Sequence, residues 1–257
     1  MTALCLAAGM QPAITTVDRM LKNLSPRELA LGKVSPVPNL ALGHAWHNFL
    51  DYLGPPVSFP DGITVLVSGD IYDDDGLASA PAKLIADLYR FDQLHKVSWL
   101  NGSFCIAILD PPKGRVALIT DRLASRSLFV WHDNKRLLAS SRLLSLVREK
   151  IVPKRISKQG IAELLIFQRT IATHTQYEDI VSMPAAQVWI WEKGRRSSQF
   201  YYMHVTMILP GSVRVLDFPS DLKLLPRIRK TFPGIKYWWI ARRKTLRILA
   251  WSLFPLR

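Results

Sequence analysis

Four aspartates stand close together in Val67-Ser68-Gly69-Asp70-Ile71-Tyr72-Asp73-Asp74-Asp75-Gly76-Leu77. Acid clusters of this kind can bind calcium. A calcium loop, however, needs D-x-D-x-D-G spacing and a glutamate at its twelfth position, and Asp73-Asp74-Asp75-Gly76 has neither, so a solvated turn is expected. His44 and His47 are spaced i, i+3 and would share one face of a helix. A zinc site needs further ligands, and neither cysteine is near in sequence. Cys5 and Cys105 are the only cysteines. Their separation implies no disulfide framework and points to a reducing compartment. Cys5-Leu6-Ala7-Ala8-Gly9 offers a thiol near the N-terminus, and a thiolate is a strong nucleophile. A small buried core residue is the plainer reading of Cys5.

These residues need elements to hold them. Apolar spacing over Pro12–Leu24 predicts a helix. Ile63–Gly69 is β-branched and apolar, as a buried strand should be. Pro81–Leu94 predicts a second helix, with proline suited to its first turn. Leu100–Asp110 and Arg115–Asp121 flank Pro111-Pro112-Lys113-Gly114 and predict a hairpin. Further strands are expected at Ser127–Trp131 and Arg136–Ser140. Helices are expected at Arg142–Lys150 and Ser157–Phe167, with Ser157 as a cap. A last hairpin pairs Ala186–Glu192 with Ser197–Tyr202. Antiparallel hairpins interleaved with helices argue an α+β fold.

The 257 residues suffice for a sizeable core. The net charge of +14 is uneven: from Tyr201 to Arg257 there are 11 basic and 2 acidic residues. No nucleic-acid-binding motif accompanies that excess, so no nucleic-acid partner is expected. The N-terminus lacks a basic region before its short apolar run, and there is no apolar run of about 20 residues, so a cytoplasmic protein is expected. Residues 236–257 read as a helix with tryptophans and leucines on one side and arginines elsewhere, suited to an anionic membrane surface. Truncation or a frameshift is the other reading of residues 204–257.

Five stretches, in order, carry a resemblance. Ser68-Gly69-Asp70-Ile71-Tyr72-Asp73 is similar to N-G-E-I-Y-N, and Leu100-Asn101-Gly102-Ser103-Phe104 through Asp110 to L-x-G-x-F-A-x-x-x-x-D. Thr120-Asp121-Arg122 through Leu128-Phe129, Leu138-Ala139-Ser140-Ser141, and Ser182-Met183-Pro184-Ala185 through Tyr201-Tyr202 match three later segments. Together they resemble the N-terminal class II glutamine amidotransferase (Ntn-hydrolase) domain of asparagine synthetase-like enzymes. The resemblance spans residues 1–203 and implies a four-layer αββα sandwich of two antiparallel sheets.

In that family an N-terminal cysteine attacks glutamine with its own α-amine as base. The resemblance therefore marks Cys5 as candidate nucleophile, provided residues 1–4 are removed. Removal of Met1 alone would expose Thr2, which can serve as an N-terminal nucleophile. Ser68 and Gly69 take the place of the Asn-Gly oxyanion hole, and losing one donor there costs about 10²–10³ in rate. Asp70 is the candidate substrate-binding acid. The substrate clamp is altered: Trp46 stands where the family has arginine, and Pro81 where it has aspartate. Tryptophan cannot grip a carboxylate through two hydrogen bonds.

The ATP-binding synthetase half has no counterpart in this sequence. No cofactor is expected for this chain itself; ATP and magnesium would belong to a separate synthetase domain. The expectation is an amidotransferase-like domain that does not hydrolyse glutamine. It is closest to the β-lactam synthetase and lasso-peptide cyclase branch, with a synthetase-domain protein or a peptide substrate as partner. The alternative is a processed glutamine-hydrolysing amidotransferase that uses Cys5.

Overall fold

The computed structural model describes residues 2–24, 29–47, 54–73, 76–192 and 194–201, and the backbone of 203–209, 212–218, 238–242 and 245–249. The chain divides into two units, Met1–Tyr202 and Met203–Arg257. Among the described residues thirteen strands build the first unit. They are β1 (Ala3–Ala8), β2 (Leu29–Val37), β3 (Leu40–His47), β4 (Val57–Ser58), β5 (Thr64–Asp73), β6 (Gly76–Leu77) and β7 (Asn101–Asp110), then β8 (Arg115–Thr120), β9 (Phe129–His132), β10 (Leu137–Ser140), β11 (Val181–Ser182), β12 (Gln187–Glu192) and β13 (Arg195–Phe200). The helices are α1 (Ala13–Lys22), α2 (Pro81–Arg90), α3 (Leu143–Val147) and α4 (Lys158–Phe167).

Two antiparallel sheets result. One runs β11-β9-β10-β1-β3-β2, the other β13-β12-β8-β7-β5-β4, with β6 paired to β5. Their facing sides enclose a core of Leu4, Leu6, Leu42, Leu66, Leu109 and Leu118 among others. The outer side of the first sheet packs on α1 and α3 through Val17, Met20 and Leu146. The outer side of the second packs on α2 through Ile85, Ala86 and Tyr89. This is an α+β four-layer sandwich of two antiparallel sheets, as expected.

Strand β1 has helices on one side and a sheet on the other, so all six of its residues are buried and apolar. Its side chains alternate: Leu4, Leu6 and Ala8 enter the core between the sheets, and Ala3, Cys5 and Ala7 face α1 and α3. The α1 helix lies against β3 at Gly43, where an added Cβ would sit 2.5 Å from Val17 Cγ1.

Several expected boundaries shift. The strand expected from Ser127 begins at Phe129, and the helix expected over Arg142–Lys150 contracts to Leu143–Val147. Ser157 caps α4 as expected, its hydroxyl accepting from Gly160 N at 3.0 Å. His44 and His47 lie on β3, not on a helix, because their segment pairs with β1 and β2. A strand's period of two puts them on opposite faces.

In the second unit β14 (Met203–Leu209) pairs with β15 (Ser212–Phe218), and β16 (Trp238–Arg242) with β17 (Thr245–Leu249). The helix expected over residues 236–257 is therefore corrected to a pair of strands. Trp238-Trp239-Ile240 is aromatic and β-branched, which favours extended backbone over a helix. The helical surface on which the membrane reading rested is absent from the described part of this segment.

Candidate active site

The residues with chemical potential meet at the end of the sandwich where β1 begins. Thr2 has the parity of Leu4 and Leu6, so it belongs on the side of β1 that faces the second sheet. His44 has the parity of Leu40 and Leu42 on β3, and Ser68 that of Leu66 on β5, so both also face the space between the sheets. There they form a chain of polar contacts. His44 Nδ1 lies 2.7 Å from Gly54 O, and because a carbonyl only accepts, this nitrogen carries the proton. His44 Nε2 lies 3.3 Å from Ser68 Oγ. Nε2 is then the acceptor of the Ser68 hydroxyl, and Ser68 Oγ also lies 3.3 Å from Thr2 Oγ1. Burial pushes the His44 imidazole down to about 4, and the Arg126 charge adds to the effect, so the ring is neutral at pH 7. Trp46, two residues along β3, stacks on His44 with ring centroids 5.3 Å apart.

Arg126 closes the end of this chain. Its NH1 donates to Thr2 Oγ1 at 2.8 Å and its Nε to Ser103 O at 2.8 Å. Its NH2 lies 3.7 Å from Asp70 Oδ2. The guanidinium is held by a turn built on Asp121. That buried carboxylate accepts from Leu123 N, Ser125 N, Ser125 Oγ and Phe104 N at 2.6–3.1 Å. Asp70 contributes one oxygen to the contact with Arg126, and its other oxygen is buried without a hydrogen-bond partner.

Gly69 turns the strand beneath Arg126. Its φ of +122° suits only glycine, and an added Cβ would sit 2.1 Å from Ser103 O and 2.3 Å from Arg126 Nε. Ser68, Gly69 and Asp70 are thus brought together, with Arg126 over them.

Cys5 is elsewhere. It lies in the middle of β1, paired with Ser140 on one side and Gly43 on the other, and is fully buried. Its side chain points toward α1 and α3, away from Ser68. The thiol sits 3.6 Å from Ser140 Oγ, which also accepts from Ser145 Oγ at 2.7 Å. Burial pushes the thiol up to about 12, against a small downward pull from the two serines.

Arg126 and the contact between His44 and Ser68 carry no signal in the sequence beyond the turn residues that precede Arg126. Among the described residues no three His, Cys, Asp or Glu side chains gather as metal ligands. Asp74 and Asp75 lie outside the described residues, as does the side chain of Asp73. No helix among the described residues is long and apolar enough to cross a membrane. An open cleft of about 430 Å³ lies beyond the other end of β1, at Gly9 and Asp133–Arg136, and holds none of these residues.

Solved structures share this architecture. Glutamine phosphoribosylpyrophosphate amidotransferase from B. subtilis, complexed with ADP and GMP, is 10% identical with a TM-score of 0.53, over 79% of this chain and 50% of its own. A structure described as the allosteric regulatory enzyme of purine biosynthesis matches with the same identity, TM-score and coverage. This chain spans about half the length of these structures. No curated protein matches it. The model of the glutamine amidotransferase domain family matches residues 7–202, most of the chain, and the chain belongs to that family.

Proposed function

We propose that this protein is a class II amidotransferase domain that does not hydrolyse glutamine and that supports an amide-forming, ATP-dependent partner of the asparagine synthase or peptide cyclase type. The observation that carries this reading is the placement of Cys5. Its thiol is fully buried and faces the helices, on the opposite side of β1 from Ser68. Freeing an α-amine at Cys5 would cut inside a strand whose Leu4 N donates to Ser141 Oγ and whose Leu4 O accepts from Ser141 N. Two further features agree. Trp46 offers no bidentate grip on a carboxylate, and all three Arg126 nitrogens already face protein oxygens. ATP and magnesium would be bound by the partner.

The purified full chain, incubated with glutamine and assayed for glutamate, is expected to give no release above the protein-free background. Release that disappears in a Cys5→Ala variant would overturn the reading.

One contact favours a second reading. Thr2 Oγ1 lies within 3.3 Å of Ser68 Oγ, at the position where an N-terminal nucleophile would face the oxyanion turn. Hydrolysis by Thr2 requires its α-amine to be free. Mass spectrometry of the native protein tests that requirement, and glutamate release abolished by Thr2→Val would select this reading.

A further inference from the structure

Helix α4 is built inside out. Surface helices turn an apolar stripe toward the core and polar residues toward water. In α4 the side against the protein is carried by Ser157, Gly160 and Glu163. An added Cβ on Gly160 would sit 1.9 Å from Thr175 O, so the helix backbone lies directly on that loop. Glu163 is 8% exposed and accepts from Ile171 N at 2.8 Å, Gln159 Nε2 at 3.0 Å and His174 Nδ1 at 2.7 Å. Over the last turn the outward residues are all apolar. Leu165 is 78% exposed and Ile166 71%, and Leu164, Phe167 and the nearby Ile171 are exposed with them. Burying one such side chain is worth about 1.5–3 kcal/mol, and α4 forgoes it at successive positions.

Charge narrows what could cover this surface. Lys154 and Lys158 stand at one end of the helix and Arg169 at the other, all exposed and without an ion pair among the described residues. A second copy of this chain would bring the same cations against them across a two-fold axis. A lipid surface meets one side of a helix, whereas Leu164–Phe167 are four successive residues and so surround the last turn. The carbonyls of that turn lack partners within the helix, which hydrocarbon penalises and a protein socket can satisfy.

We propose that the last turn of α4, Leu164–Phe167, docks into an apolar groove rimmed by carboxylates on another protein. This proposal rests on the functional reading above, and assigns that groove to the amide-forming partner. Lys154, Lys158 and Arg169 face the acidic rim, and Glu163 with Ser157 fixes the helix so that its apolar end is presented in one orientation.

The test uses the full chain, expressed in the cells that encode it, with the photo-crosslinking residue p-benzoylphenylalanine in place of Leu165 or, as a control, of Phe91 at the end of α2. Both positions are solvent-exposed, so both variants are expected to melt as the parent does. Irradiation at position 165 is expected to yield an adduct with a protein of ATP-dependent synthetase sequence, mapped by mass spectrometry to apolar residues beside Asp or Glu. Adding Lys158→Glu and Arg169→Glu is expected to lower the yield about tenfold through like-charge repulsion. Capture of the synthetase from position 91 but not 165 overturns this docking surface and leaves the functional reading standing. Capture from neither position overturns both. An adduct at 165 with phospholipid, or with a second copy of this chain, overturns the docking proposal.

Discussion

Arg126 NH1 donates to Thr2 Oγ1 at 2.8 Å, joining residues 124 positions apart in the chain and one edge of β1 to the turn after β8. The contact bridges the two sheets at the end where Ser68 and Asp70 lie. Hydrogen bonds to charged groups are worth about 1.5–3 kcal/mol, and partial exposure of Arg126 reduces that. A double-mutant cycle of Thr2→Val and Arg126→Gln, read by urea denaturation, is expected to give a coupling of about 1 kcal/mol. Additive effects would show that the pair holds nothing together.

The Cys5 thiol is predicted to be chemically silent in the folded protein. Burial pushes it up to about 12, so at pH 8 it carries almost no thiolate, and no reagent reaches it. Cys105 is fully buried and raised to about 12 for the same reason. Iodoacetamide is expected to leave both unmodified in buffer and to alkylate both in denaturant. Modification of Cys5 in the native protein would contradict the placement described here.

His44 makes stability depend on pH. Burial holds its folded value at about 4, below the ordinary value of 6.5, so between these values the unfolded chain binds the extra proton. Its contribution is fully present above pH 6.5 and is lost as pH falls toward 4. With each pKa unit worth about 1.4 kcal/mol, the loss reaches about 3 kcal/mol near pH 4. His132, also lowered by burial, acts in the same direction. Chemical denaturation of His44→Asn from pH 7 to pH 4 is expected to show a shallower decline than the parent. Parallel profiles would exclude His44 as a source.

Asp121 is predicted to hold Arg126 in place. Its carboxylate receives three backbone amides and the Ser125 hydroxyl within the buried turn. Asp121→Ala leaves those donors unsatisfied and is expected to cost about 3 kcal/mol or more. Asp121→Asn keeps the shape and should cost less. If the two variants melt alike, the donors have other partners.

Gly69 also constrains the sequence at the site. Gly69→Ala would place a methyl group against Ser103 O and Arg126 Nε in a backbone conformation that L-residues avoid, at a cost of about 1–3 kcal/mol before any clash. Thermal unfolding of the variant checks it, and an unchanged melting temperature would rule out the close approach.

The sequence by itself marked α1 to α4 and the strands β5, β7 to β10, β12 and β13 in their order, but not β2 and β3, and it suggested a C-terminal helix where strands form. Apolar runs, Pro81 at a helix start, Ser157 as a cap and the hairpin turn at Pro111–Gly114 all act over a few residues, and such short-range signals suffice to mark an α+β sandwich. It also held the strand parity of β1, because side chains alternate in any strand, so Cys5 and Thr2 had to face opposite ways once β1 was paired. What the sequence could not supply was which face met which layer. The burial of Cys5 against α1 and α3, the meeting of His44 with Ser68, and the reach of Arg126 to Thr2 depend on how two sheets stack. The inverted exposure of α4 was decided the same way. The helix itself was expected, but which of its sides meets the protein was set by the tertiary contacts of Gly160 and Glu163.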